Sequence, residues 1–213
     1  MDTANVAQVR VIAASPDSPQ MDFYLGGNAL AYGVDFGSMS SYVPQMPGNV
    51  TISANTANSK QLLVTASAGL AAGREYTAVV TNVAASLQET VYADQTTPAP
   101  PGDVAVRVID AGTRTGSVDI YLVPGSGKLV STFPVRAGVN FGSSTGYILE
   151  PAGTYAVVVL PAGTVPNPST QVLLRGPEET YAAGSVCTVV LVDHGKEDKP
   201  ELDQIVAVDY DPS

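Results

Sequence analysis

The sequence predicts an all-β protein, built as two tandem immunoglobulin-like antiparallel β-sandwich domains. Three observations lead there: the composition, an internal repeat and an apolar period of two. Of the 213 residues only 14% are charged, against about 25% in an ordinary domain. Hydrophobic residues make up 45%, which supplies a real core, and 20 Gly with 16 Pro supply frequent turns. Such a chain, with ten Tyr, four Phe and no Trp, reads as short strands joined by many turns. The acidic excess gives a net charge of −10, which argues against unspecific binding to nucleic acid or anionic membrane. No stretch approaches the ~20 apolar residues of a membrane span, so no direct membrane insertion is expected.

The repeat sets the domain organisation. Residues 9–25 (VRVIAASPDSPQMDFYL) match residues 106–122 (VRVIDAGTRTGSVDIYL) at 8 of 17 positions without a gap. A second block pairs 34–50 with 139–155, and a third pairs 71–80 with 182–191. The three blocks are colinear, with offsets of 97, 105 and 111. Between the copies, Pro98, Pro100 and Pro101 favour a short, stiff, extended connection. The expected division is repeat 1 over 1–97, a Pro-rich linker over 98–102 and repeat 2 over 103–213.

Within each copy the periodicity is that of strands. Val9, Val11, Met21, Phe23 and Leu25 alternate with Arg10, Asp22 and Tyr24, as a half-buried strand requires. Val118, Ile120 and Leu122 repeat the pattern around Asp119 and Tyr121. Further strands are expected at 49–54, 61–67, 75–83 and 87–93, then at 128–135, 154–160, 170–175, 186–193 and 203–209. Gly, Pro, Asn and Ser punctuate them every 8–12 residues, as in a sandwich or barrel. The best helical spacing, Ala66 to Ala72, is broken by Gly69 and Gly73.

The recurring charges are Arg10 with Asp22 and Arg107 with Asp119. On antiparallel strands whose apolar faces agree, each pair falls on one face. A cross-strand ion pair there contributes roughly 0.2–1 kcal/mol, and recurrence in both copies points to a structural role.

The motifs VRVIAASPDSPQMDFY, FGSMSSY and AAGREYT resemble a bacterial and archaeal family known as domain of unknown function 4397. Repeat 1 carries its opening through Ser15, Pro16, Asp17, Pro19 and Asp22. Repeat 2 carries its P-A-G-x-Y strand through Pro151, Ala152, Gly153 and Tyr155. Repeat 2 departs at its first loop, where Gly112 to Gly116 replace Ser-Pro-Asp-Ser-Pro. The resemblance implies exported or cell-surface β-domains, often in tandem, and brings no established catalytic residues.

Tests for chemistry leave little. Gly142-Ser143-Ser144-Thr145-Gly146 matches G-x-S-x-G, but no helix follows to make a nucleophile elbow. The only histidine, His194, lies in an acidic loop. Gly125-Ser126-Gly127-Lys128 resembles a phosphate loop, yet Leu122 and Leu129 stand where Gly and Ser/Thr are needed. One His and one Cys cannot build a structural transition-metal site, so neither metal nor cofactor is expected. Cys187, in a strand-like run, reads as a small buried hydrophobe. The acidic segment Asp193, Glu197, Asp198, Glu201, Asp203, Asp209 and Asp211 lacks a calcium-loop pattern and is interleaved with Lys196 and Lys199. Asp17 in the first loop, with Tyr32, Tyr42 and Tyr147 as stacking faces, forms the candidate binding set.

The expected function is a non-enzymatic β-sandwich module, secreted or at the cell surface, with a structural, spacer or adhesion role. Its partner would be a protein or a cell-envelope carbohydrate. A small-ligand or carbohydrate binder using the end loops is the alternative, and a serine hydrolase through Ser144 and His194 the enzymatic one. Residues 1–8 show no basic n-region or apolar h-region, so no signal peptide is visible.

Overall fold

Alternate residues of Ala7–Ala13 (β1) and Met21–Leu25 (β2) face inward and put Val9, Val11, Met21 and Phe23 into one core. Those two strands lie on opposite walls of that core, because consecutive strands here switch sheets. The computed structural model describes residues 5–195 and 200–212. The first unit continues with β3 (Asn28–Val34), β4 (Val43–Gln45), β5 (Gly48–Thr56), β6 (Leu62–Leu70), β7 (Glu75–Thr81) and β8 (Gln88–Ala93). The second comprises β9 (Asp103–Asp110), β10 (Val118–Pro124), β11 (Arg136–Val139), β12 (Ser144–Pro151), β13 (Gly153–Pro161), β14 (Leu174–Tyr181), β15 (Val186–Asp193) and β16 (Leu202–Tyr210). Helix is limited to short 3-10 turns, among them Ala84–Ser86 and Leu129–Ser131.

The chain divides into compact units Met1–Thr96 and Thr97–Ser213. Unit 1 packs sheet β4-β1-β7-β8 over sheet β3-β2-β5-β6, and unit 2 packs β12-β9-β15-β16 over β11-β10-β13-β14. Each strand of one unit has a counterpart at the same place in the other. Both are all-β sandwiches with a shared strand order.

Pairing is antiparallel except at one place in each unit. β1 runs parallel to β7 and β9 parallel to β15, which corrects the expectation of purely antiparallel sheets. A first strand inserted between a late strand and a short edge strand has no hairpin to dictate its direction.

Three segment expectations also change. Residues 128–135 form no strand: Leu129–Ser131 is a 3-10 turn and β11 starts at Arg136. The strand expected at 170–175 runs over Leu174–Tyr181, where Glu178, Glu179 and Thr180 disguise it as a loop. The Pro-rich stretch folds onto unit 2, since Ala99 is buried and its N–H donates to the Gly184 carbonyl at 3.0 Å. The neighbouring prolines have no N–H to satisfy.

Candidate functional site

Because Val9 and Val11 face the core, Arg10 between them must face the outer side of its sheet. Arg107 stands likewise between Val106 and Val108 in β9. Each is nonetheless only 3% exposed. A charge removed from water must be met by partners, and here the partners are the same in both units.

The Arg10 Nε donates to Thr77 Oγ1 at 2.9 Å, and that hydroxyl donates to Asp94 Oδ2 at 2.7 Å. Tyr42 Oη donates to the same Asp94 oxygen at 2.9 Å, and its ring centre lies 4.6 Å from the Arg10 Cζ. In unit 2, Arg107 donates to Thr188 at 2.9 Å and Thr188 to Asp209 at 2.6 Å. Tyr147 donates to Asp209 at 2.7 Å, and its ring centre is 4.8 Å from the Arg107 Cζ. Arg107 Nη2 also approaches Asp209 Oδ2 at 4.0 Å. Charge-assisted hydrogen bonds with a cation over an aromatic face make each tetrad a closed polar cluster.

Backbone geometry delivers each member. The parallel register sets Arg10 opposite Thr77 and Arg107 opposite Thr188. The tyrosines arrive on the F-G-x-x-x-x-Y segments. There Gly37 (φ 79°) and Gly142 (φ 74°) take a left-handed conformation that side chains disfavour. Their N–H groups donate to the Ala13 and Asp110 carbonyls at 2.9 and 2.7 Å. Ser40 Oγ and Thr145 Oγ1 then accept from the Val11 and Val108 N–H groups at 3.0 and 2.9 Å. Asp94 directly follows β8, whereas Asp209 sits at a register shift in β16 between Val208 and Tyr210.

The expected Arg10–Asp22 and Arg107–Asp119 pairs do not form. Their strands belong to different sheets, so side chains on the outer faces point away from each other. Asp22 instead accepts from the Gly33 and Asn58 N–H groups, both at 2.8 Å. Asp119 accepts from those of Gly138 and Gly163, both at 2.8 Å. All four donors have positive φ, between 58° and 78°. The aspartate ties two turns together in each unit.

The loop candidates are largely engaged inside the protein. Asp17 Oδ1 accepts from the Ala84 N–H at 2.7 Å, and Tyr42 and Tyr147 cover the arginines. Tyr32 is 68% exposed and meets Tyr24 edge-on at 6.3 Å. Ser144 Oγ accepts from the Gly146 N–H at 3.3 Å at the start of β12, while His194 Nδ1 lies 2.9 Å from Asp203 Oδ2. Of the acidic segment, Asp193 is buried and accepts from the Thr113 hydroxyl at 2.7 Å. Glu197 and Asp198, with Lys196 and Lys199, lie outside the described residues.

Among the described residues no three or more His, Cys, Asp and Glu side chains gather to hold a metal ion, and no helix is long and apolar enough to cross a membrane. Burial pushes the Asp110 carboxyl up to about 6, with the Asp193 carboxylate adding to the rise.

Residues 7–121 match the sequence profile of the domain of unknown function (DUF4397). No curated protein matches the chain. Among solved structures it is similar to a family 26 carbohydrate-binding module of Eubacterium rectale Amy13K in complex with maltoheptaose. That likeness has 10% identity, covers 96% of this chain and 98% of that one, and has a TM-score of 0.28. A second is a streptococcal virulence factor described by its alpha-glucan binding, at 13% identity, 92% and 95% coverage and a TM-score of 0.28. These scores are too low for either ligand to be transferred to this chain.

Proposed function

For this chain, which belongs to the DUF4397 family, we propose a non-enzymatic role as a secreted or cell-surface β-sandwich module that serves as a spacer or adhesion element. The observation that carries the reading is the duplicated tetrad. Both units commit a buried Arg, Thr and Asp and a half-buried Tyr to one another, so the polar groups most shared between the copies serve architecture. A catalytic group needs an unmet proton acceptor or donor facing substrate, and these clusters present none on their own account. Protease shaving of intact cells that make an epitope-tagged chain tests the placement. Loss of the tag supports it, and protection of the tag until lysis overturns it.

A second reading, a carbohydrate-binding module, is favoured by the exposed Tyr32 and its partner Tyr24 on an outer sheet face. Aromatic faces beside small polar residues suit sugar rings. A glycan array probed with the wild type and with Tyr32→Ala separates the readings: retained glycans lost in the variant support binding, and a blank array removes it.

A further inference from the structure

Unit 2 carries two segments that unit 1 lacks. The offset between matched blocks grows from 97 to 105 and then to 111, so eight and then six residues have been added. In unit 1, β2 and β3 are joined by Gly26-Gly27 alone, and β5 and β6 by five residues. In unit 2 the corresponding connections run over 125–135 and 162–173.

These segments roof the outer face of the sheet carrying β10 and β13. Tyr121, Val123, Ala156, Val158 and Leu160 form a second apolar cluster there, closed by Leu129 from one segment and Val172 from the other. Between the segments remains a half-open cavity of about 570 Å³, within the range of about 300–1,000 Å³ usual for small-molecule sites. Leu129, Val130 and Val172 give it apolar walls, and Lys128 reaches it from the first segment and Arg175 from β14, just past the second. Only ten of the 213 residues are Lys or Arg, so two meeting in one cavity of an acidic protein is notable. Neither makes an ion pair with a carboxylate among the described residues. The same segments also hold apolar side chains out to solvent, with Phe133 87% and Val165 82% exposed.

We propose that this cavity binds a small amphiphilic anion. Its acidic head would lie between Lys128 and Arg175 and its apolar body along Leu129, Val130 and Val172. Charge complementarity selects the head, because a neutral or cationic head would leave both cations unmet. The shortness of both connections in unit 1 confines the site to unit 2.

The test is calorimetric titration of the full chain with decanoate, decanol and decyltrimethylammonium below their aggregation concentrations. Decanoate should bind one per chain. Lys128→Ser/Arg175→Ser should weaken it about tenfold or more, as loss of charge-assisted contacts implies. Val130→Glu, at an exposed position that spares the core, should weaken it as well. Lys60→Ser/Arg74→Ser, the same change among exposed cations of unit 1, should leave it unchanged. Binding of decanol or decyltrimethylammonium as tight as that of decanoate overturns the proposal. So do equal losses in both double variants, or no decanoate binding below about 1 mM.

Discussion

Thr188 stands between Arg107 and Asp209, accepting from one at 2.9 Å and donating to the other at 2.6 Å. Its hydroxyl thus relays a buried cation to a buried anion. Thr188→Val keeps the shape and the β-branch but removes one hydrogen bond from a buried cation and one from a buried anion, leaving them to Tyr147 and to each other. The expected cost is about 2–4 kcal/mol of unfolding free energy, while Thr188→Ser should cost under about 1.5 kcal/mol. Denaturant unfolding of the two variants measures the difference. Near-equal stability of the two would remove the relay from the energetic account.

Asp119 holds two turn amides whose residues, Gly138 and Gly163, have φ of 65° and 78°. Asp119→Ala leaves both N–H groups without their acceptor, and a loss of about 2–3 kcal/mol is expected. Asp22→Ala should do the same in unit 1 through Gly33 and Asn58. Hydrogen exchange at the four amides reads this directly. Protection unchanged in the variants would show that the carboxylates are incidental to those turns.

Glu89 lies on β8 opposite Val80, so its side chain shares a face with a core residue. Burial pushes its carboxyl from the usual 4.5 up to about 7, and a backbone hydrogen bond at Ala66 offsets only part of this. The fold therefore prefers the neutral acid. Its stability contribution is full below about pH 4.5 and is lost as pH rises through about 7. Glu89→Gln should match the wild type near pH 4.5 and exceed it by about 1–3 kcal/mol at pH 8. A constant difference between the two across that range would contradict the assignment.

Cys187 is 4% exposed, and burial, aided by the Asp209 carboxylate, pushes its thiol up to about 12. The thiolate is the reactive form, so a disulfide reagent at pH 8 should label the native chain only as fast as it unfolds. Labelling within seconds in native buffer would place the thiol at the surface.

How far the sequence discloses this molecule depends on what a period of two encodes. Alternation in Val9 to Leu25 correctly sorts core-facing from outward-facing residues, because facing is a local property of a strand. It cannot say which sheet a strand joins, and so it pairs Arg10 with Asp22 across a sandwich rather than with Thr77 across a parallel register. Thr77 and Thr188 lie in the third recurring block, where a position-by-position comparison of the copies is the signal that finds them, whereas Asp94 and Asp209 lie outside all three blocks. The strands β3, β4, β11 and β12 escaped because Gly, Ala, Ser and Pro dilute their pattern. The roofed face of unit 2 has a signal of its own: Ala156 to Leu160 is continuously apolar, as in a strand buried on both sides, where Thr51, Ser53 and Asn55 interrupt the equivalent strand of unit 1.

The parallel pairing of β1 with β7 sets the order in which the chain can fold. Arg10 meets Thr77 across 67 residues and Arg107 meets Thr188 across 81. A ribosome must therefore release nearly a whole unit before its first strand meets its parallel neighbour, with only β4 or β12 able to pair with its other edge sooner. Closing such loops precedes any gain from the contacts they allow, so refolding is expected on the millisecond-to-second scale of non-local β topologies. Both first strands carry Val-Arg-Val-Ile. When the seventh strand emerges, the strand it needs has waited longest, and the second copy that follows offers a near-identical substitute. Exchange of first strands between units, or between chains, is thus the misassembly to which this topology is most prone.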